Sequence, residues 1–159
     1  DSIVVTSYSK DLSIPGERIG YVVVHPNIDD HENVVGAVVL ANRILGFVNA
    51  PAIMQRVVGR LQGETVDVQK YAKKRDLICN GLDRIGYDFV RPKGTFYLMP
   101  KAPGGDDLTF DNALQEELVL AVPGSGFGLP GHFRLSFCVD DQTIIGAMPG
   151  FERAIARFV

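Results

Sequence analysis

Two short stretches of the 159-residue sequence carry residues whose types and spacing could do chemistry. In the first, Ser7-Tyr8-Ser9-Lys10 closes one β-branched run, and Gly16-Glu17-Arg18-Ile19-Gly20-Tyr21 leads into the next. A lysine at the end of a strand stands where α/β sheets hold ligands. Desolvation there turns its amine into a nucleophile able to form a Schiff base with an aldehyde. The arginine that follows, returned by a glycine-containing turn, can grip a phosphate through two parallel N–H donors, with the Ser7 hydroxyl as a third. On residue types alone, an exposed lysine and an arginine in a surface ion pair would account for the same stretch.

The second stretch is Pro123-Gly124-Ser125-Gly126-Phe127-Gly128, followed by Phe133-Arg134-Leu135-Ser136-Phe137. A guanidinium among apolar strand residues is costly unless a protein carboxylate or an anionic ligand pairs with it. Strand alternation puts Arg134 on the face opposite Phe133 and Leu135. The glycine-rich piece has neither a Walker lysine nor a Gly-x-Gly-x-x-Gly leading into a helix, which argues against a nucleotide loop.

The order Ser-x-Ser-Lys, five residues, Gly-x-Arg-x-Gly-Tyr is similar to the cofactor-attachment signature of class I and II aminotransferases. Here Ser7, Ser9, Lys10, Gly16, Arg18, Gly20 and Tyr21 fill it. Pro-Gly-x-x-Phe-Gly, a short loop and Arg-Leu-Ser-Phe resemble the small-domain segment of the same family, with Arg134 at the position of the arginine that binds the substrate α-carboxylate. Pro92-Lys93-Gly94-Thr95-Phe96-Tyr97 resembles the family's small-domain hairpin; a turn before a strand explains it, and no catalytic role is assigned. The resemblance implies pyridoxal 5'-phosphate as cofactor, with Lys10 as the Schiff-base lysine and proton carrier, and Ser7 and Arg18 as phosphate ligands. It implies transfer of an amino group between an amino acid and a 2-oxo acid, by a cytoplasmic homodimer. Carbon–sulfur lyases and aminocyclopropane-carboxylate synthases of the same superfamily reuse these residues, as does the effector domain of aminotransferase-like transcriptional regulators.

The resemblance runs the length of the chain but does not reach the family's N-terminal arm, its glycine-containing phosphate loop, the aromatic that stacks on the pyridine, or the aspartate on the ring nitrogen. The expectation is therefore a C-terminal fragment, weak in cofactor binding and negligible in transamination by itself, since that aspartate makes the ring an effective electron sink.

These residues need elements to position them. Ile3–Thr6 and Tyr21–Val24 read as buried strands, and helices are expected over 31–47 and 51–61. A long helix over 64–85 has Val68, Tyr71, Ile78, Leu82 and Ile85 at steps of three, four and seven, with Gly86 as its left-handed stop and a charged, solvated opposite face. Beyond it come strands at 87–90 and 95–99, a helix at 111–117, strands at 119–122 and 133–137, and a final helix from Asp140. The expected fold class is α/β with α+β. Residues 1–62 form a remnant of the large cofactor-binding domain, and residues 63–159 form the small C-terminal domain, an antiparallel sheet covered by helices. Without the rest of the large sheet, the first ~60 residues should expose strand edges and apolar faces and self-associate.

Composition excludes other classes. A net charge of −3 with 46% hydrophobic and 22% charged residues provides no basic footprint for nucleic acid or an anionic membrane. Cys79 and Cys138 form no Cys-x-x-Cys pair, and His25, His31 and His132 have no metal-ligand spacing, so the cysteines read as reduced thiols. The longest apolar run, Val34 to Ala41, falls far short of the ~20 residues that span a bilayer.

Overall fold

A computed structural model describes residues 1–158. The chain divides into two compact units, Asp1–Val66 and the residues from Asp67 onward.

In the first unit the β-branched run forms strand β1 (Ile3–Ser7), which pairs antiparallel with β2 (Gly20–Val24) in a register from Ile3↔Val24 to Ser7↔Gly20. A one-turn helix α1 (Tyr8–Asp11) and a 3-10 turn at Pro15–Glu17 connect them. Helix α2 (His31–Ile44) stops short of the expected Phe47. There the chain folds back, and the Asn42 carbonyl accepts the amides of both Phe47 and Val48 at 3.2 Å. Pro51 caps α3 (Ala52–Arg60) from outside rather than starting it. The Val66 amide donates to the Asp11 carbonyl at 2.9 Å, tying the end of the unit to α1.

The strands are not buried as their apolar runs alone suggest; they expose apolar faces, as expected of residues lacking the rest of a large sheet. Val5 is 73% exposed, and among the described residues of this unit only Ile19 and Val58 are buried. A two-stranded ribbon with short helices beside it has too little second layer to cover both faces.

The second unit opens with the long helix α4 (Val68–Ile85). It begins later than the periodicity suggests because the Asp67 carboxylate accepts the Gln69 amide at 3.0 Å. It ends as expected at Gly86, whose φ of 102° favours glycine. Next come β3 (Tyr97–Leu98), α5 (Asp107–Glu116), β4 (Val122–Pro123), β5 (Phe133–Ser136) and α6 (Asp141–Ile155). The three strands lie in the order β3-β5-β4, antiparallel throughout. Leu98, Phe133 and Leu135 join Ile78 and Leu82 of α4, Phe110 and Leu114 of α5, and Ile144 and Phe151 of α6 in one core.

Three expectations change here. Residues 87–90 are not a strand: the Tyr87 amide donates to the Leu82 carbonyl at the end of α4, at 3.1 Å, and the bond from the Lys101 amide to the Asp88 carbonyl, 2.9 Å, is a single link rather than a ladder. Helix α5 starts at Asp107 rather than Asp111, because the Asp106 carboxylate accepts the amides of Leu108 and Thr109. The charged side of α4 is not simply solvated: Arg91 donates to Asp76 at 3.2 Å, to Asn80 at 2.7 Å and to Asp83 at 3.0 Å. The bond that Arg91 donates to Asp83 is the main reason its guanidinium is held above its ordinary pKa.

Candidate active site

The residues expected to hold the cofactor, Ser7, Lys10 and Arg18, belong to the first unit, and Arg134, expected to bind the substrate carboxylate, belongs to the second.

Lys10 sits on α1, one turn past the end of β1 rather than on the strand itself. Ser7 caps that turn: its Oγ accepts the Ser9 amide at 3.1 Å, and its hydroxyl donates to Ser9 Oγ at 2.9 Å. Lys10 is exposed, so residues 1–66 do not supply the desolvation that the nucleophile argument needs.

Arg18 closes the 3-10 turn at φ 50°, ψ 48°, the left-handed region that an arginine rarely adopts. One of its guanidinium nitrogens donates to the Pro15 carbonyl at 3.0 Å. Held strain of this kind collects at ligand sites. The Ser7↔Gly20 pair and the bond from the Tyr8 amide to the Ile19 carbonyl, 3.1 Å, join the two ends of the 7–20 segment. Gly20 makes this approach possible, since a Cβ there would lie 2.4 Å from the Thr6 carbonyl oxygen. Ser7 and Arg18, well separated in sequence, are thus carried by one closed corner.

Strand β5 alternates as expected, with Phe133 and Leu135 buried and Arg134 half-buried. The protein-carboxylate alternative fails, because no carboxylate among the described residues pairs with Arg134. Its Cζ instead lies 4.5 Å from the Tyr97 ring centroid and 4.0 Å from that of Phe127. The register explains Tyr97: it faces Ser136, two residues from Arg134 on the same side of the sheet, and an aromatic reaches along that diagonal. Phe127 comes from the loop between β4 and β5. Aromatic faces attract a guanidinium and leave its in-plane N–H groups for an acceptor.

Sequence reasoning gave Tyr97 only a packing role and gave none to Asp107. Asp107 is 6% exposed, and its carboxylate accepts the amides of Ser125 at 2.8 Å and Gly131 at 3.2 Å. Those two bonds, that of Ser125 foremost, hold its pKa down at about 2. The neighbouring pair Asp106-Asp107 was the available signal, one carboxylate being enough to cap α5.

The donor set fits pyridoxal phosphate. In the first unit Ser7, Ser9 and Arg18 offer hydroxyl and guanidinium donors suited to a phosphate monoester, and Lys10 offers an amine for an aldehyde. Among the described residues no group of three or more His, Cys, Asp or Glu could hold a metal ion, and no helix is long and apolar enough to cross a membrane.

Comparison with known proteins gives one consistent result. The family model "Aminotransferase class I and II" matches residues 1–148. An aspartate aminotransferase of Thermotoga maritima is 28% identical over 151 residues, 94% of this chain and 38% of that protein. A crystal structure of an amino transferase from Eubacterium rectale superposes with a TM-score of 0.90 at 44% identity, covering 98% of this chain and 39% of that one. An α-aminoadipate aminotransferase of Thermus thermophilus, complexed with N-(5'-phosphopyridoxyl)-L-leucine, gives a TM-score of 0.79 at 25% identity, covering 98% of this chain and 42% of that one. The chain thus spans about two fifths of the length of these relatives.

Proposed function

Because the chain belongs to the class I and II aminotransferase family, we propose that the whole protein transfers an amino group between an amino acid and a 2-oxo acid with pyridoxal 5'-phosphate as cofactor. When bound, that cofactor supplies an electron sink for the charge left on the amino acid's α-carbon. Lys10 Nζ anchors it and moves the proton at that α-carbon. Ser7 and Arg18 hold its phosphate, the serine by a hydroxyl bond and the arginine by parallel N–H donors. Arg134 binds the α-carboxylate of the substrate, and the rings of Tyr97 and Phe127, stacked near its guanidinium, leave the in-plane N–H groups for that carboxylate.

The single observation that carries this reading is the closed corner at Ser7↔Gly20, which supports an amine and a phosphate-binding arginine on one small frame. Residues 1–62 are assigned to the cofactor-binding domain and residues 63–159 to the small domain. The lyase, synthase and regulator alternatives receive no support from the matched relatives reported above, which are named as aminotransferases. We place the protein in the cytoplasm, in keeping with the unpaired Cys79 and Cys138, and as a homodimer.

The test is covalent capture. With the whole protein, pyridoxal phosphate and borohydride, peptide mapping should find the reduced adduct on Lys10 in preference to the other lysines, and Lys10→Ala should lose it. Labelling spread evenly over the lysines, or unchanged by the substitution, rejects the assignment.

A further inference from the structure

Asp106 and Asp107 are adjacent carboxylates with different tasks. Asp106 alone caps α5, through the amides of Leu108 and Thr109 and the Thr109 hydroxyl. Asp107 does no capping. Its two oxygens reach out of the helix to the β4–β5 loop, Oδ2 to the Ser125 amide and Oδ1 to the Gly131 amide. Those amides stand at the two ends of the segment that carries Phe127. Ser125 is in the same 3-10 turn as Phe127, and Gly131 lies just before β5 and Arg134. Around this clamp the loop is tightly folded: the Leu129 amide donates to the Gly124 carbonyl at 3.0 Å, and the Gly124 amide to the His132 carbonyl at 2.7 Å. A Cβ on Gly124 would lie 2.3 Å from the Leu129 oxygen.

We propose that Asp107 is the positioning residue of Arg134: by clamping both ends of the β4–β5 loop it fixes Phe127 against the guanidinium, and so sets the orientation in which Arg134 meets a carboxylate. The inference deepens the carboxylate-binding role given to Arg134 above and rests on it. Here the two N–H donors approach different oxygens of the one side chain, so both of its terminal atoms must accept. Aspartate meets this, whereas asparagine would turn an NH2 group toward one of the amides. Burial of the side chain makes that mismatch costly rather than solvated. The depressed pKa of the carboxyl agrees with a charged clamp at neutral pH.

The experiment uses the 159-residue chain, with amide exchange, the 1H–15N signal of Arg134 Nε and titration with succinate as a carboxylate probe. In Asp107→Asn, exchange at Ser125 and Gly131 should rise about tenfold or more, as expected for loss of bonds to a charged group. The Leu108 and Thr109 amides should stay protected. The Arg134 signal should move away from its ring-shifted position, and succinate should bind about tenfold more weakly. Phe127→Leu provides an independent arm that leaves the clamp intact: the Ser125 and Gly131 amides stay protected while the Arg134 signal and succinate binding change in the same direction. A loosened loop with Arg134 signal and succinate affinity unchanged overturns the inference. If Asp107→Asn does not fold, an unchanged Arg134 signal in Phe127→Leu overturns it equally. Wild-type Arg134 giving no response to succinate refutes the carboxylate-binding role instead, and the positioning claim is then decided on the Arg134 signal alone.

Discussion

Gly16 and Gly20 have the same standing in the sequence motif, but the structure separates them, and a pair of alanine substitutions measures the difference. At Gly20 an added Cβ meets the Thr6 carbonyl oxygen at 2.4 Å and Ser7 Cα at 3.1 Å. Both are backbone atoms of β1, so no rotamer change relieves the contact. To reach even a tight 3.0–3.4 Å, the two strands must part by about 0.6–1 Å. That movement takes the Tyr8 N–H to Ile19 carbonyl bond, now 3.1 Å, beyond useful length. Overpacking of this kind costs about 1–3 kcal/mol, which corresponds to about a 5- to 150-fold increase in the open population. Hydrogen exchange at the Tyr8 amide reads that factor directly. At Gly16 nothing lies within 4 Å of the added Cβ, and its φ is not in the left-handed region. Gly16→Ala should therefore leave Tyr8 exchange within about twofold, with a slight gain from restricting the unfolded chain. Capture of pyridoxal phosphate on Lys10 should fall in Gly20→Ala and persist in Gly16→Ala. Equal behaviour of the two variants, in either direction, would refute the closed-corner reasoning.

Stability should vary with pH at both extremes, each through one named group. Asp107 has its carboxyl depressed from an ordinary value near 4 to about 2 by the loop amides. Its contribution is complete above pH ~4 and is lost as pH falls toward 2. Tyr87 has its phenol raised above the ordinary 10 by burial, so its contribution is complete below that pH and is lost as pH rises beyond it. Thermal melts across pH should show both losses, with the acid limb flattened in Asp107→Asn and the alkaline limb in Tyr87→Phe; slopes unaltered by these changes contradict the assignments. The exposed Val5, Ile44, Phe47 and Ile53 of the first unit should drive self-association of the isolated chain. Light scattering that finds only monomer at micromolar to millimolar concentration refutes this.

Much of the second unit was legible because its signals are periodic and local. Recurring apolar positions in α4 and α6, the stop at Gly86 and the alternation of Phe133, Arg134 and Leu135 are properties of a helix or a strand before anything packs on it. The start of α5 was misjudged, since apolar spacing says nothing of which aspartate caps. The strand expected at 87–90 was misjudged because the Tyr87 amide is taken by the end of α4 and Asp88 makes one isolated backbone bond, to Lys101, where a strand needs a ladder.

The chemistry divides along the same line. By itself the order of residues singled out Ser7, Lys10, Arg18 and Arg134 as candidates and carried the resemblance to an aminotransferase, because each motif is contiguous and carries its own turn chemistry. Only the tertiary structure decided that Gly20 is sterically required where Gly16 is not, that Arg134 rests on Tyr97 and Phe127 instead of a carboxylate, and that Asp107 rather than Asp106 holds the loop. Each of those facts depends on a distance between segments far apart in the chain, and such a distance exists only once strands have paired and the loop has closed.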